Sequence, residues 1–115
     1  MRFDRFTVKA REVISDAQGL AGKKGNPEIR PQHLLLVLLT QNRGVVGSLL
    51  QHIETDVPAL TREAAVLVDN LPTVSGGAQS RVSSQLQKVF DEADSIANGL
   101  GDSHVATEVL LLAIN

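Results

Sequence analysis

Slid against itself by 76 residues, the chain matches its own opening. Arg5 falls on Arg81, Val13 on Val89, Ala17 on Ala93, Ala21 on Ala97 and Gly25 on Gly101. The run Leu34-Leu35-Leu36 falls on Leu110-Leu111-Leu112, and no gap is needed anywhere. Conservative pairs fill the intervals: Thr7 with Ser83, Ile14 with Phe90, Asp16 with Glu92, Leu20 with Ile96, Asn26 with Asp102, and Ile29 with Val105. Two unrelated amphipathic helices would share the Val, Ala and Leu periodicity. They would not share a loop glycine at the same offset. A duplicated unit packed on itself is the reading, and it restricts the fold to copies of one motif.

The unit reads as helices. Ala10, Val13, Ile14, Ala17, Leu20 and Ala21 recur every three or four residues, the spacing of one helix face. Thr7 stands in front as an N-cap, its hydroxyl placed to accept a free N–H of the first turn. Gly22 and Gly25 with Asn26-Pro27 end the segment. The second copy repeats this with Leu86, Val89, Phe90, Ala93, Ile96 and Ala97; Ser84 and Gln87 fit a capping box there. Pro31 marks the start of a second helix, whose run Leu34 to Leu39 is apolar on nearly every side and therefore central. Its twin starts at Thr107 and carries Val109 to Ile114. Two further helices are expected between the copies, one with Val46, Leu49, Leu50 and Ile53, the other with Val57, Leu60, Ala64, Leu67 and Leu71. Pro72 to Gln79 reads as an exposed connector. No period-2 segment is long enough for a strand. The expected class is all-α: a four-helix repeat over about residues 4–79, and a partial second copy over 80–115, related by a pseudo-two-fold. The second copy supplies only two helices, so we expect a fragment of a longer protein.

At 115 residues the chain makes one domain. A net charge of −2 argues against a nucleic-acid partner. A helix-turn-helix reading around Arg30-Pro31 lacks a basic face. Tyr and Trp are absent and Phe occurs three times, which leaves no stacking platform for bases. The six-residue apolar runs fall far short of the ~20 needed to span a bilayer, and Met1-Arg2-Phe3-Asp4-Arg5 is not a secretory leader. A cytoplasmic, soluble domain is expected, with no membrane partner. Cys is absent, and His33, His52 and His104 lie on separate elements, so no metal set is expected. Gly22-Lys23-Lys24-Gly25 lacks the spacing and the Ser or Thr of a phosphate loop. The fragment is expected to bind no cofactor, to hold no catalytic residue, and not to be an enzyme.

Several motifs carry a resemblance. Arg2-Phe3-Asp4-Arg5-Phe6-Thr7, Asp16-Ala17-Gln18, and Ile29-x-Pro31-x-His33-Leu34-Leu35 resemble the N-terminal domain of Clp-type AAA+ unfoldases. Leu71-Pro72-x-Val74-x-Gly76 and Gly101-Asp102-x-x-Val105-x-Thr107-Glu108 look like the ClpB-type disaggregase branch of that family. The resemblance covers the whole chain. It implies a chaperone domain tethered flexibly to the ATPase rings of a hexamer, where ATP and Mg are bound, and capturing unfolded or aggregated polypeptide. It also implies a co-chaperone of the DnaK system as a further partner. Other branches use similar domains to dock folded adaptors of a Clp protease, which is the alternative function. The family domain is longer than this chain by about two helices.

Eight residues are candidates for the binding site. Through the resemblance, Thr7, Asp102 and Glu108 match positions implicated in substrate handling, and we expect them to lie close together. Asp102 and Glu108 also suit ordinary charge stabilisation at a helix N-terminus. Ala10, Val13, Phe90, Val105 and Val109 are the expected lining of an apolar groove between the repeats, because the wide stripe on the second-copy helix should leave an edge in solvent. Covering ~400 Å² of such surface would yield ~10 kcal/mol gross. Association costs take back most of it, so micromolar or weaker binding is expected.

Overall fold

The computed structural model describes residues 5–41, 56–74 and 80–114. The helix expected around Val46 to Ile53 lies outside the described residues, as do His52 and the 75–79 part of the connector. The order is α1 (Val8–Lys23), β1 (Glu28–Ile29), α2 (Pro31–Gln41), α3 (Val57–Asp69), β2 (Arg81–Val82), α4 (Ser84–Gly99) and α5 (Thr107–Ile114). Five helices carry the described residues, and the class is all-α as expected.

Local chemistry sets the helix starts. The Thr7 hydroxyl accepts the Ala10 N–H at 3.1 Å, and the Ser83 hydroxyl accepts the Leu86 N–H at 3.0 Å. The cap of α4 is therefore Ser83, not the Ser84 of the expected capping box, while the Gln87 side chain turns outward to Asp91. Asp56 caps α3 through the Ala59 N–H, ahead of Pro58. The C-termini are equally regular. Gly25 and Gly101 take φ of 72° and 77°, the left-handed turn that glycine enters without a Cβ penalty. Behind them the Asn26 N–H reaches the Ala21 carbonyl and the Asp102 N–H reaches the Ala97 carbonyl, each at 2.9 Å.

Two short strands are present where none was expected. β1 and β2 pair in parallel, Glu28 with Arg81 and Ile29 with Val82, and an isolated parallel bridge joins Phe6 to Val105. These contacts exchange under the offset. The Thr7 N–H donates to the Val105 carbonyl and the Ser83 N–H to the Ile29 carbonyl, both at 3.0 Å. Each half thus hands the other the same hydrogen bond, as a two-fold requires. Two-residue strands have no room for alternation, so no periodicity announced them.

The core gathers at this seam. Leu34 and Leu38 of α2 and Leu110 of α5 are fully buried, and α2 packs against α1, α3 and α5. Phe6, from the segment before α1, meets Phe90 of α4 edge to face, with ring centroids 5.6 Å apart at 66°. Pairs of this geometry contribute about 1 kcal/mol beyond their buried area.

Candidate functional site

The five apolar candidates are core residues. Ala10, Val13, Phe90, Val105 and Val109 are each at most 5% exposed, so they line no open groove. This corrects the expectation that these five line a groove. Of the α4 stripe, Leu86, Val89, Phe90, Ala93 and Ala97 are buried and Ile96 alone is partly exposed, because α4 packs along α5 and meets Phe6 at the seam.

The polar candidates lie along that seam, at its surface. Thr7 is half-buried, spends its hydroxyl on the α1 cap, and donates its N–H to the Val105 carbonyl. Glu108 is the half-buried acid in the first turn of α5, where the helix dipole favours negative charge. Asp102 is exposed in the loop between α4 and α5. Beside it, the Ser103 carbonyl accepts a hydrogen bond from Arg5 at 2.8 Å. Arg5 also reaches Asp94 at 2.9 Å and Asn98 at 2.7 Å, so one guanidinium clamps the segment before α1 to the end of α4. The structure thus joins the segments bearing Thr7, Asp102 and Glu108. The helix starts that orient Thr7 and Glu108 also account for their local contacts.

An open site lies elsewhere. Where the starts of α2 and α4 meet the end of α5, Arg30, Pro31, Gln32, Leu35, Gln85 and Ile114 line a cavity of about 310 Å³. Gln32 Oε1 is shielded from water and has no hydrogen-bond partner, an arrangement costing about 1–3 kcal/mol for a buried acceptor. Arg30 is held at the rim by Glu28 at 2.9 Å. A second, shallower depression runs along the outer face of α3, lined by Ala59, Arg62, Glu63, Val66 and Leu67. None of these residues was a site candidate in the sequence. The offset could have found the first set, because Gln32 occupies the position equivalent to Glu108.

His33 is occupied by structural hydrogen bonds. His33 is fully buried and hydrogen-bonded at both ring nitrogens, and no cluster able to hold a metal occurs among the described residues. The Gly22-Lys23-Lys24-Gly25 segment closes α1, with Lys24 paired to Asp69 at 2.8 Å. No helix among the described residues is long and apolar enough to cross a membrane.

A duplicated helical unit joined by exchanged backbone bonds is the architecture of a Clp-type N-terminal domain, and the family model described as "Clp repeat (R) N-terminal domain" matches residues 5–115. The chain belongs to that family. Within it, the similarity runs to ClpB chaperones. The chain is 40% identical over 114 residues to the chaperone protein ClpB of Vibrio cholerae and 37% identical over 113 residues to that of Rhodopirellula baltica. Each match covers 98% of this chain and 13% of the relative, so the chain spans about an eighth of those proteins. Among solved structures, the Hsp104 N-terminal domain from Candida albicans superposes with a TM-score of 0.86 at 24% identity. That match covers 95% of this chain and 72% of the other. The N-terminal domain of the ClpV1 ATPase from E. coli gives 0.87 at 24%, covering 96% and 68%. These two likenesses concern the fold.

Proposed function

We propose that this chain is the non-catalytic, client-capturing N-terminal domain of a ClpB-type disaggregase. It holds unfolded or aggregated polypeptide for AAA+ modules outside the chain, which bind ATP and Mg and thread the client. In this reading the parent is a hexamer, working in the cytoplasm with a DnaK-system co-chaperone. The observation that carries client capture is the cavity between α2, α4 and α5. It presents apolar Pro31, Leu35 and Ile114 beside the amides of Gln32 and Gln85, and mixed walls of this kind suit many sequences weakly. Thr7, Asp102 and Glu108 form a polar margin along the seam, in which Glu108 steers the client rather than holding it.

Anisotropy with a labelled, permanently unfolded protein tests this. Ile114→Ser removes apolar surface from the rim, worth about 1 kcal/mol when covered, and should weaken binding about fivefold. Glu108→Ala should weaken it less, with helicity retained. Two variants that stay helical and bind as the parent does would remove the proposed surface. Binding a folded adaptor in preference to the unfolded chain would favour the adaptor-docking function instead.

A further inference from the structure

His33 sits at the start of α2 with no exposure, and its hydrogen bonds run in one direction. The Arg30 N–H donates to its Nδ1 at 2.9 Å, so the neutral ring carries its proton on Nε2. Nε2 faces Asn26 Oδ1 at 2.8 Å and donates to it. The Asn26 amide N–H₂ then donates to the Pro72 carbonyl at 2.9 Å. Around this chain, Ser80 Oγ donates to the Asn26 carbonyl at 2.7 Å and the Val74 N–H to the Gly25 carbonyl at 2.8 Å. The segment after α3 approaches so closely that a Cβ on Gly25 would stand 3.3 Å from the Val74 oxygen. Three parts of the chain meet here: the α1–α2 loop, the exit of α3 and the entry to β2.

We propose that His33 is an acid-released clasp, which on taking up a proton lets go of Asn26 and frees the Pro72–Val74 segment from the α1–α2 loop. A second ring proton would sit on Nδ1, pointing at the Arg30 N–H, and two donors 2.9 Å apart cannot both be satisfied. The ring can accept that proton only by leaving its place. Burial holds the imidazole below its ordinary 6.5. The sign follows directly. An unfolded or released His33 binds the proton more readily than the clasped one, so the clasp's full stability is present above pH 6.5. It is lost as the pH falls through the clasped value. The charged groups on the segments joined here are Lys23, Lys24, Glu28, Arg30, Asp69 and Arg81. Lys24 is tied to Asp69 and Glu28 to Arg30, while Lys23 and Arg81 are exposed. Among the described residues no carboxylate is hydrogen-bonded to the ring. The second half has no such device, since the positions equivalent to Asn26 and His33 are Asp102 and Val109.

Amide exchange by NMR on the 115-residue chain between pH 7.5 and 5, corrected for intrinsic rates, reads the clasp at Val74 and the core at Ala93. Long-range nitrogen spectra follow the His33 ring in the same samples. The expected result is an Nε2–H tautomer at neutral pH and a loss of Val74 protection, at least tenfold, that tracks His33 protonation. Ala93 should stay protected throughout. His33→Gln should remove the pH dependence. A Val74 profile that is flat while His33 titrates overturns the clasp. So does one that falls identically in His33→Gln, or a neutral ring protonated on Nδ1. Should His33→Gln not fold, the coincidence of ring titration and Val74 protection in the parent chain decides alone.

Discussion

Gly25 and Gly101 stand 76 residues apart in the same left-handed turn, and they separate backbone strain from contact. A methyl at Gly101 would meet nothing within 4 Å. Gly101→Ala should therefore cost only the conformational penalty, about 1–2 kcal/mol. At Gly25 the same φ cost applies, and the new Cβ also presses on the Val74 carbonyl oxygen, with the Thr73 Cβ in ordinary contact. Backbone oxygen yields less readily than a flexible side chain. Gly25→Ala should accordingly lose roughly 1 kcal/mol more than its counterpart, in the overpacking range. Urea unfolding of the two variants measures the difference. Equal losses would mean that the Thr73–Val74 segment simply moves aside, and that its hold on the α1–α2 loop is weak.

Helices were legible because their stripes, caps and stop signals agree with one another. Thr7 and the loop after Ala21 bound α1 as read, and α4 copies it residue for residue. The one displaced cap shows what local motifs miss: Ser83 and Ser84 are neighbours, and only the equivalence of Thr7 with Ser83 chooses between them. The strands were illegible, since pairing Ile29 with Val82 is a long-range fact with no local pattern. The groove was misread because a stripe at helical spacing says which face turns inward and not how deeply it sinks. Exposed Val66 and Leu67 on α3 illustrate the converse, apolar residues that the fold leaves outside. The Arg5 clamp was also invisible, although it fastens the segment before α1 to α4. It bonds three groups from one planar fork, which an ammonium cannot match. Arg5→Lys should destabilise by about 1 kcal/mol, allowing for the partial exposure of the pair. Asp94→Asn should cost less, since the contacts to Asn98 and Ser103 survive. The reverse order of urea midpoints would make the ion pair, not the fork, the stabilising feature.

At the scale of the molecule the two halves share a frame and differ in its polar fittings. Exchanged backbone bonds, paired caps and matched turns recur at one offset. His33 faces Asn26 in one half, where the other places Val109 and Asp102. Arg5 finds Asp94 and Asn98, whereas the equivalents of those partners for Arg81 are Gln18 and Gly22. Duplication built the scaffold, and divergence at the seam made each half's chemistry its own. Because one core serves both halves, they should unfold together, and Phe90 is where this can be examined. Its ring is buried against Phe6 from the opposite end of the chain. Phe90→Ser therefore exchanges a core ring for an unpartnered hydroxyl, and large-to-small core changes of this kind cost about 3–5 kcal/mol. Against a total of roughly 5–15 kcal/mol for a domain, that loss brings the fold near its limit. Phe90→Leu, closer in volume, should cost about 1–2 kcal/mol and leave a single thermal transition. Client binding by a folded Phe90→Leu should match the parent, because the ring offers nothing to a ligand. Weakened binding with the melting transition intact would instead return Phe90 to the capture surface, and would require the seam to open when a client arrives.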